Sequence, residues 1–226
     1  MIATVLLLAA ALAPQSTSPH RRLWLEQDFT HGNGAGWSFF GAPGHPLEVI
    51  EASGGNPGAF LHTLCAGSSC LDTFAPQLRT PLGVPSVFTG NWRTRRVDAI
   101  GVDLAIFHVD FSSAGRPLSL VLRSDPGTPG SFADDVVVYL VGTRNVPMPN
   151  GHWRRYGFPV ASASATLPAG WVVQQGSGNA NADWNQVMTD VDQVTFFFGD
   201  PSFFFIFQQW ELGADSIRIR LDPTTL

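Results

Sequence analysis

Three tryptophans stand where a ring could be offered to a ligand. Trp92, Trp153 and Trp171 each border a stretch rich in Gly, Asn or Pro, which places them at loop ends rather than within a strand. An exposed indole presents a flat apolar face that stacks on a sugar ring or an apolar patch. Asn91 and Arg93 flank Trp92, and His152 and Arg154 flank Trp153, so hydrogen-bonding groups accompany two of the three rings. The competing reading is structural, in which any one of these rings closes an end of the fold. Trp37, Trp184 and Trp210 fall in phase with apolar neighbours and are expected in the core.

Hard cations are the second chemistry the residues admit. Calcium gathers several oxygen ligands, often carboxylates and carbonyls on loops. Glu26 and Asp28 lie beside the glycine-rich HGNGAG, Asp134 is followed by Asp135, and Asp215 precedes the last strand. The first and last strands of a jelly roll often run side by side, which would bring Asp28 near Asp215. Against this, Asp215 with Gly213 also reads as a simple turn, and Asp134-Asp135 as a solvated strand start.

Catalysis has the least support. The chain contains no G-x-S-x-G elbow, no H-E-x-x-H pair, no P-loop and no dinucleotide fingerprint. Its six histidines are scattered, and His108 continues the apolar phase of its strand, as a core or edge residue would. Glycoside hydrolysis needs two carboxylates facing each other across a cleft. Glu48, Glu51 and Glu211 are available for that role, but the sequence does not pair them.

The elements that must position these residues are mostly short strands. Leu23 to Phe29 alternates Leu23, Leu25 and Gln27 with Trp24, Glu26 and Asp28. Ile100, Val102, Leu104 and Ile106 alternate with Gly101, Asp103 and Ala105, a long strand with one wet face. Leu118, Leu120 and Leu122 repeat the pattern, and Val136 to Val141 is apolar on both phases, as a central strand would be. Between these lie turn-rich runs such as SDPGTPGSFADD. Near the end, Trp184, Val187, Met188 and Val191 recur at helical spacing, with Asp183 and Gln186 as a capping-box-like start. A buried strand, a Phe-rich strand and a closing strand at Ser216 to Leu221 are expected to follow. Many short strands with one short α-helix near residues 183–191 predict an all-β, antiparallel jelly-roll β-sandwich.

The destination is read from the ends and the composition. Ile2 to Leu12 is apolar but shorter than the ~20 residues of a membrane helix, and it fits a signal-peptide core. Residues 1–18 are therefore set aside as a leader, with cleavage after Ala13 or near Ser18, and 19–226 as one domain. Export suits Cys65 and Cys70, whose spacing in CAGSSC most simply closes a small disulfide loop. No transmembrane segment is expected in the remainder. A net charge of −5, with only 14% charged residues, argues against nucleic acid, which wants a clustered basic stripe. The one basic cluster, Arg93, Arg95 and Arg96, has acidic neighbours and reads as a solvated strand entrance.

The order of elements also resembles a known family. FAPQL, SVFTGN, AIGVDLAIF, RPLSLVL and DDVVVYLVG, followed by the pattern from Trp184 to Phe196, are similar to the laminin IV type A domain. More broadly the chain is similar to galactose-binding-like jelly-roll modules of the carbohydrate-binding kind. The resemblance spans about two thirds of the mature chain and rests on hydrophobic, structural motifs. It implies a fold and an extracellular, glycan-facing or adhesive role and transfers no catalytic residue. The chain departs from that family in having few cysteines and no flanking EGF-like modules, and its leader and Phe-rich core suit a secreted bacterial protein.

The expectation is thus a secreted or periplasmic, non-catalytic binding module for an extracellular carbohydrate. Trp92, Asn91, Arg93, Trp153, His152, Arg154 and Trp171 are its candidate ligand contacts, and Glu26, Asp28 and Asp215 a candidate structural calcium site. The rival readings are an adhesive protein that binds other surface proteins, and an unrecognised hydrolase.

Overall fold

The computed structural model describes residues 22–41, 47–65, 70–127, 131–203 and 205–222. The proposed leader, His20 and His45 lie outside these. In chain order the elements are β1 (Leu23–Gln27), β2 (Ser38–Phe40), β3 (Glu48–Gly55), β4 (Gly58–Thr63), β5 (Leu71–Thr73), β6 (Gln77–Arg79), α1 (Trp92–Arg95), β7 (Ala99–Val109), β8 (Pro117–Ser124), β9 (Val136–Asn145), β10 (Arg154–Pro159), β11 (Trp171–Gln175), α2 (Ala180–Thr189), β12 (Gln193–Phe198) and β13 (Gln208–Leu221).

The strands form two antiparallel sheets, an all-β jelly-roll sandwich. In sheet 1 the order is β10-β7-β13-β4-β3, and β1 and β5 also pair with β13. The long β13 thus serves three short strands in turn: β5 at Gln208–Trp210, β4 at Gly213–Ala214 and β1 at Ile217–Leu221. Sheet 2 runs β11-β9-β8-β12-β6-β2. First and last strands do lie side by side, with Leu23 opposite Leu221.

Alternation explains which side chains meet between the sheets. Ile100, Val102, Leu104 and Ile106 from β7 are fully buried, as are Leu118, Leu120 and Leu122 from β8 and Phe196 and Phe198 from β12. Two bulges then reset the phase, since an extra residue in one strand swaps the faces beyond it. On β7 the pairing steps from Ile106–Leu212 to His108–Glu211, leaving Phe107 as the extra residue. Val109 therefore turns inward and His108 is exposed, although strict alternation would have kept it with the apolar phase. On β13 the extra residue lies between Asp215 and Arg218, where Ser216 adopts φ 47°. Leu212 and Ala214 face the core before it, and Ile217, Ile219 and Leu221 after it.

The helical expectation is corrected at its start. α2 begins at Ala180, and its cap is Asn179, whose side chain accepts a hydrogen bond from Ala182 N. Asp183 instead sits buried in the first turn, accepting from Ser177 N at 2.8 Å and Ser177 Oγ at 2.7 Å. Trp184, Val187 and Met188 are the buried face, as their spacing predicts. The Phe-rich stretch is corrected as well. After Gly199 the chain turns, with Ser202 N donating to Asp200 Oδ1 at 2.8 Å, and Phe203, Ile206 and Phe207 are exposed loop residues rather than a strand. The basic cluster belongs to the one-turn helix α1 and its C-cap Arg96, not to a strand entrance. There Arg95 donates to Thr89 O and Arg96 pairs with Asp222. A disulfide joins Cys65 to Cys70 between β4 and β5.

Candidate functional site

The outer face of sheet 1 is set by the same alternation that fills the core. Opposite the buried phase, β7 turns Ala99, Gly101 and Asp103 outward. Cross-strand partners place Pro159, Gly157 and Arg155 of β10 on one side of them and Arg220, Arg218 and Asp215 of β13 on the other. β1 adds Trp24 opposite Arg220 and Glu26 opposite Arg218. Gly101 and Gly157 have no side chains, so the middle of this face is low and the flanking residues become walls. The result is an open trough of about 680 Å3. A Cβ on Gly101 would lie 2.5 Å from Tyr156 O, so glycine is required there by close approach. At Gly157 a Cβ would meet nothing within 4 Å and would point into empty space.

The walls are braced by charge. Asp103, with no exposed surface, takes Arg155 Nε on Oδ1 at 3.1 Å and Arg155 Nη2 on Oδ2 at 3.1 Å. Arg218 Nη2 donates to Oδ1 at 2.9 Å and Asn56 Nδ2 to Oδ2 at 2.9 Å. Both guanidinium planes are thereby fixed, and the bond to Asp103 raises the Arg155 pKa. Neighbouring Asp215 accepts from Asn56 N and Ser216 N, yet burial pushes its carboxyl up to about 6. At the far end Arg220 Nε donates to Asp98 Oδ1 at 2.6 Å, and its guanidinium lies 5.2 Å from the Trp24 ring. Trp24 remains 44% exposed.

Toward β3 and β4 the same face becomes aromatic. A Cβ on Gly213 would lie 2.8 Å from Trp153 and 2.9 Å from Phe107, so both rings cover that glycine. Phe60 packs edge-on to Trp153 at 5.2 Å, and Trp153 Nε1 donates to Gly54 O at 2.8 Å. His62 stands 4.9 Å from Phe107, with Nε2 3.1 Å from Glu211 and Nδ1 3.5 Å from Glu51. Two of the carboxylates considered for hydrolysis therefore converge, but the imidazole occupies the gap a glycosidic bond would need. Glu48 is elsewhere. It accepts from Phe39 N, and burial pushes its carboxyl up to about 7.

The tryptophans expected at the surface do not gather. Trp92 is fully buried, its indole N–H donating to Phe88 O at 3.0 Å. Asn91 caps α1 through Thr94 N, and Arg93 is tied to Ser164 O at 2.8 Å and to Asn185. Trp171 is only 6% exposed and packs 4.9 Å from Trp184. Neither ring has a face free to stack on a ligand. Only Trp153 lies on the sheet 1 face, half-buried, with His152 and Arg154 exposed beside it. Of the calcium candidates, Asp28 accepts from Thr30 Oγ1 at 2.8 Å, Asp215 accepts from the backbone N–H groups of Asn56 and Ser216, and Glu26 lies on β1 opposite Arg218. Among the described residues no three His, Cys, Asp or Glu side chains are grouped to hold a metal ion.

Trp24, Arg155, Arg218 and Arg220 were not singled out by sequence. For Trp24 a signal existed, because it occupies the polar phase of β1 with Glu26 and Asp28. An aromatic residue on a wet phase is a candidate for display.

No protein-family model matches the chain, and no curated protein matches it. Among solved structures it is similar to the family 11 carbohydrate-binding module of the cellulosomal cellulase Lic26A-Cel5E of Clostridium thermocellum. That likeness has a TM-score of 0.45 and 14% identity, over 89% of this chain and 95% of the other. A second is the C-terminal family 22 carbohydrate-binding module of Clostridium thermocellum Xyn10B. There the TM-score is 0.31 with 10% identity, over 89% of this chain and 96% of the other.

Proposed function

We propose that the protein is a secreted, non-catalytic module that binds an extracellular polysaccharide along the outer face of sheet 1. The observation that supports this is the open trough floored by Gly101 and Gly157, with the exposed Trp24 on one wall. An indole face stacks on the C–H face of a sugar, and fixed guanidinium and carboxylate groups meet its hydroxyls. Because Asp103, Arg155 and Arg218 are held by one another, little side-chain entropy is lost when a ligand arrives. From Arg220 to Gly213 the face extends about 20 Å at ~3.3 Å per residue, which suits a chain rather than a single sugar. Among the described residues no helix is long and apolar enough to cross a membrane.

The test is a polysaccharide panel on the mature protein, with Trp24→Ala and Gly157→Leu as variants. Trp24→Ala removes the stacking face, and the leucine fills the floor where the strand has room for it. Each is expected to weaken binding about tenfold or more, equivalent to ~1.4 kcal/mol. Undiminished binding by Gly157→Leu would remove the trough as the site, and a panel with no binder would remove the reading.

One observation favours a second reading, adhesion to another surface protein. Phe74, Phe111, Phe203, Ile206 and Phe207 are all exposed. Phe74 meets Phe207 at 4.9 Å, and Gln209 N donates to the carboxylate of Asp110, next to Phe111, so one end of the sandwich has an apolar rim. A folded protein that binds no glycan but loses cell adhesion on Phe203→Ser would shift the assignment there.

A further inference from the structure

The opposite face of the sandwich has a depression of its own. On the outer side of sheet 2, β6 turns Gln77 and Arg79 outward, β12 Thr195, and β8 Val121 and Arg123. The small Thr195 and Val121 leave a hollow of about 380 Å3 between longer neighbours. Two arginines line it, and none of its described lining residues is acidic, in a chain whose net charge is −5.

The two arginines are unequally satisfied. Arg123 Nη2 pairs with Asp135 at 2.5 Å and lies 3.8 Å from Asp125, but its Nε has no partner among the described residues. Arg79 makes no ion pair or guanidinium hydrogen bond with any described residue, and it rests 3.5 Å over the Phe40 ring. Burial and the nearby charge of Arg123 both lower the Arg79 pKa. A guanidinium offers five N–H groups in a fixed fork that matches a carboxylate. Arg79 is thus a partly desolvated cation beside a second guanidinium, and a group of that kind without an acceptor is costly unless an anion joins it. Phe132, 67% exposed, stands on the rim with its ring 4.8 Å from the Arg123 guanidinium. Gln77 and Gln174 add to the lining amides suited to hydroxyl groups.

We infer that this hollow is a second binding site, for a carboxylate-bearing sugar such as a hexuronate. The carboxylate sits between Arg79 and Arg123, the sugar ring lies against Phe132, and the glutamine amides take its hydroxyls. Sheet 1 and sheet 2 then bind different ligands on opposite faces, and the second site stands whether or not the first does.

The experiment is calorimetric titration of the full mature protein with trigalacturonate. Neutral galactotriose and citrate serve as probes of the ring alone and the charge alone. Trigalacturonate is expected to bind, to weaken as sodium chloride is added, and to be unaffected by Gly157→Leu on the opposite face. Arg79→Gln should weaken it by about tenfold to a hundredfold, the loss of a charge-assisted bond. Phe132→Ala, at an exposed position, should weaken it severalfold and serves if Arg79→Gln fails to fold. No binding, equal binding of galactotriose, or unchanged binding by a folded Arg79→Gln would overturn the site. Citrate binding as tightly as trigalacturonate would overturn the sugar assignment.

Discussion

Replacing Asp103 by Asn tests the brace beneath the sheet 1 trough. The substitution keeps the shape but removes the charge that faces two guanidinium groups. It also turns an amide N–H toward donors that now lack an acceptor. The two arginines are not equally dependent on it. Arg218 has a side chain only 12% exposed, so it is left as a nearly buried cation without the carboxylate it is bonded to. Removing one partner of such a pair costs about 3–5 kcal/mol. Arg155 is 64% exposed despite its two short bonds, so water replaces most of what it loses, and its own share is at most ~1 kcal/mol. Asp103→Asn is therefore expected to lose about 3–5 kcal/mol, a fall in Tm of roughly 6–20 °C for a domain of this size. Arg155→Gln should lose under ~1 kcal/mol. Urea unfolding followed by tryptophan fluorescence reads both, with the slope m unchanged if the denatured state is unaffected. Equal losses for the two variants, or a loss below ~1 kcal/mol for Asp103→Asn, would refute the argument from burial.

Acid titration should reveal Glu48 and Asp215. Burial raises Glu48 from its ordinary 4.5 to about 7 and Asp215 from 3.8 to about 6. A raised carboxyl means that the folded state holds the proton more tightly, so its stabilising effect is complete below the unfolded value and is lost as pH rises through the folded one. Stability measured between about pH 4 and 7 should decline with pH from these two groups, and Glu48→Gln or Asp215→Asn should flatten that decline. An unchanged slope in both variants would contradict it. Asn179→Ala removes the cap of α2 and should cost about 1 kcal/mol in denaturant melts, whereas no loss would return the helix start to Asp183.

The sandwich was legible in the sequence because alternation is local. Ile217, Ile219 and Leu221, or Leu118, Leu120 and Leu122, announce a face without knowledge of their partners. What misled was whatever depends on a neighbour far away in the chain. The bulges at Phe107 and Ser216 arise from pairing between β7 and β13, and they decide that Val109 rather than His108 turns inward. Trp92 reads as a loop residue from its polar surroundings, yet a single helical turn folds its ring back onto Phe88. The trough follows the same logic. Gly101 and Gly157 are ordinary glycines until β10 and β7 place them opposite one another. Trp24 was visible on the polar phase of β1, but only the pairing with β13 brings it beside Arg220.

The pairing of β1 with the end of β13 has a mechanical consequence. Leu23 lies opposite Leu221, and Arg22 reaches Asp222 at 3.9 Å, so the described chain enters and leaves at one point. The two strands are antiparallel there, and tension applied through residues 22 and 222 would load their hydrogen bonds one after another. Such a geometry peels open at low force, where a sheared pair would resist with all its bonds together. The first element to detach would be β1, taking Trp24 and Glu26 with it. Pulling on the ends would thus dismantle one wall of the trough while the rest of the sandwich stayed folded.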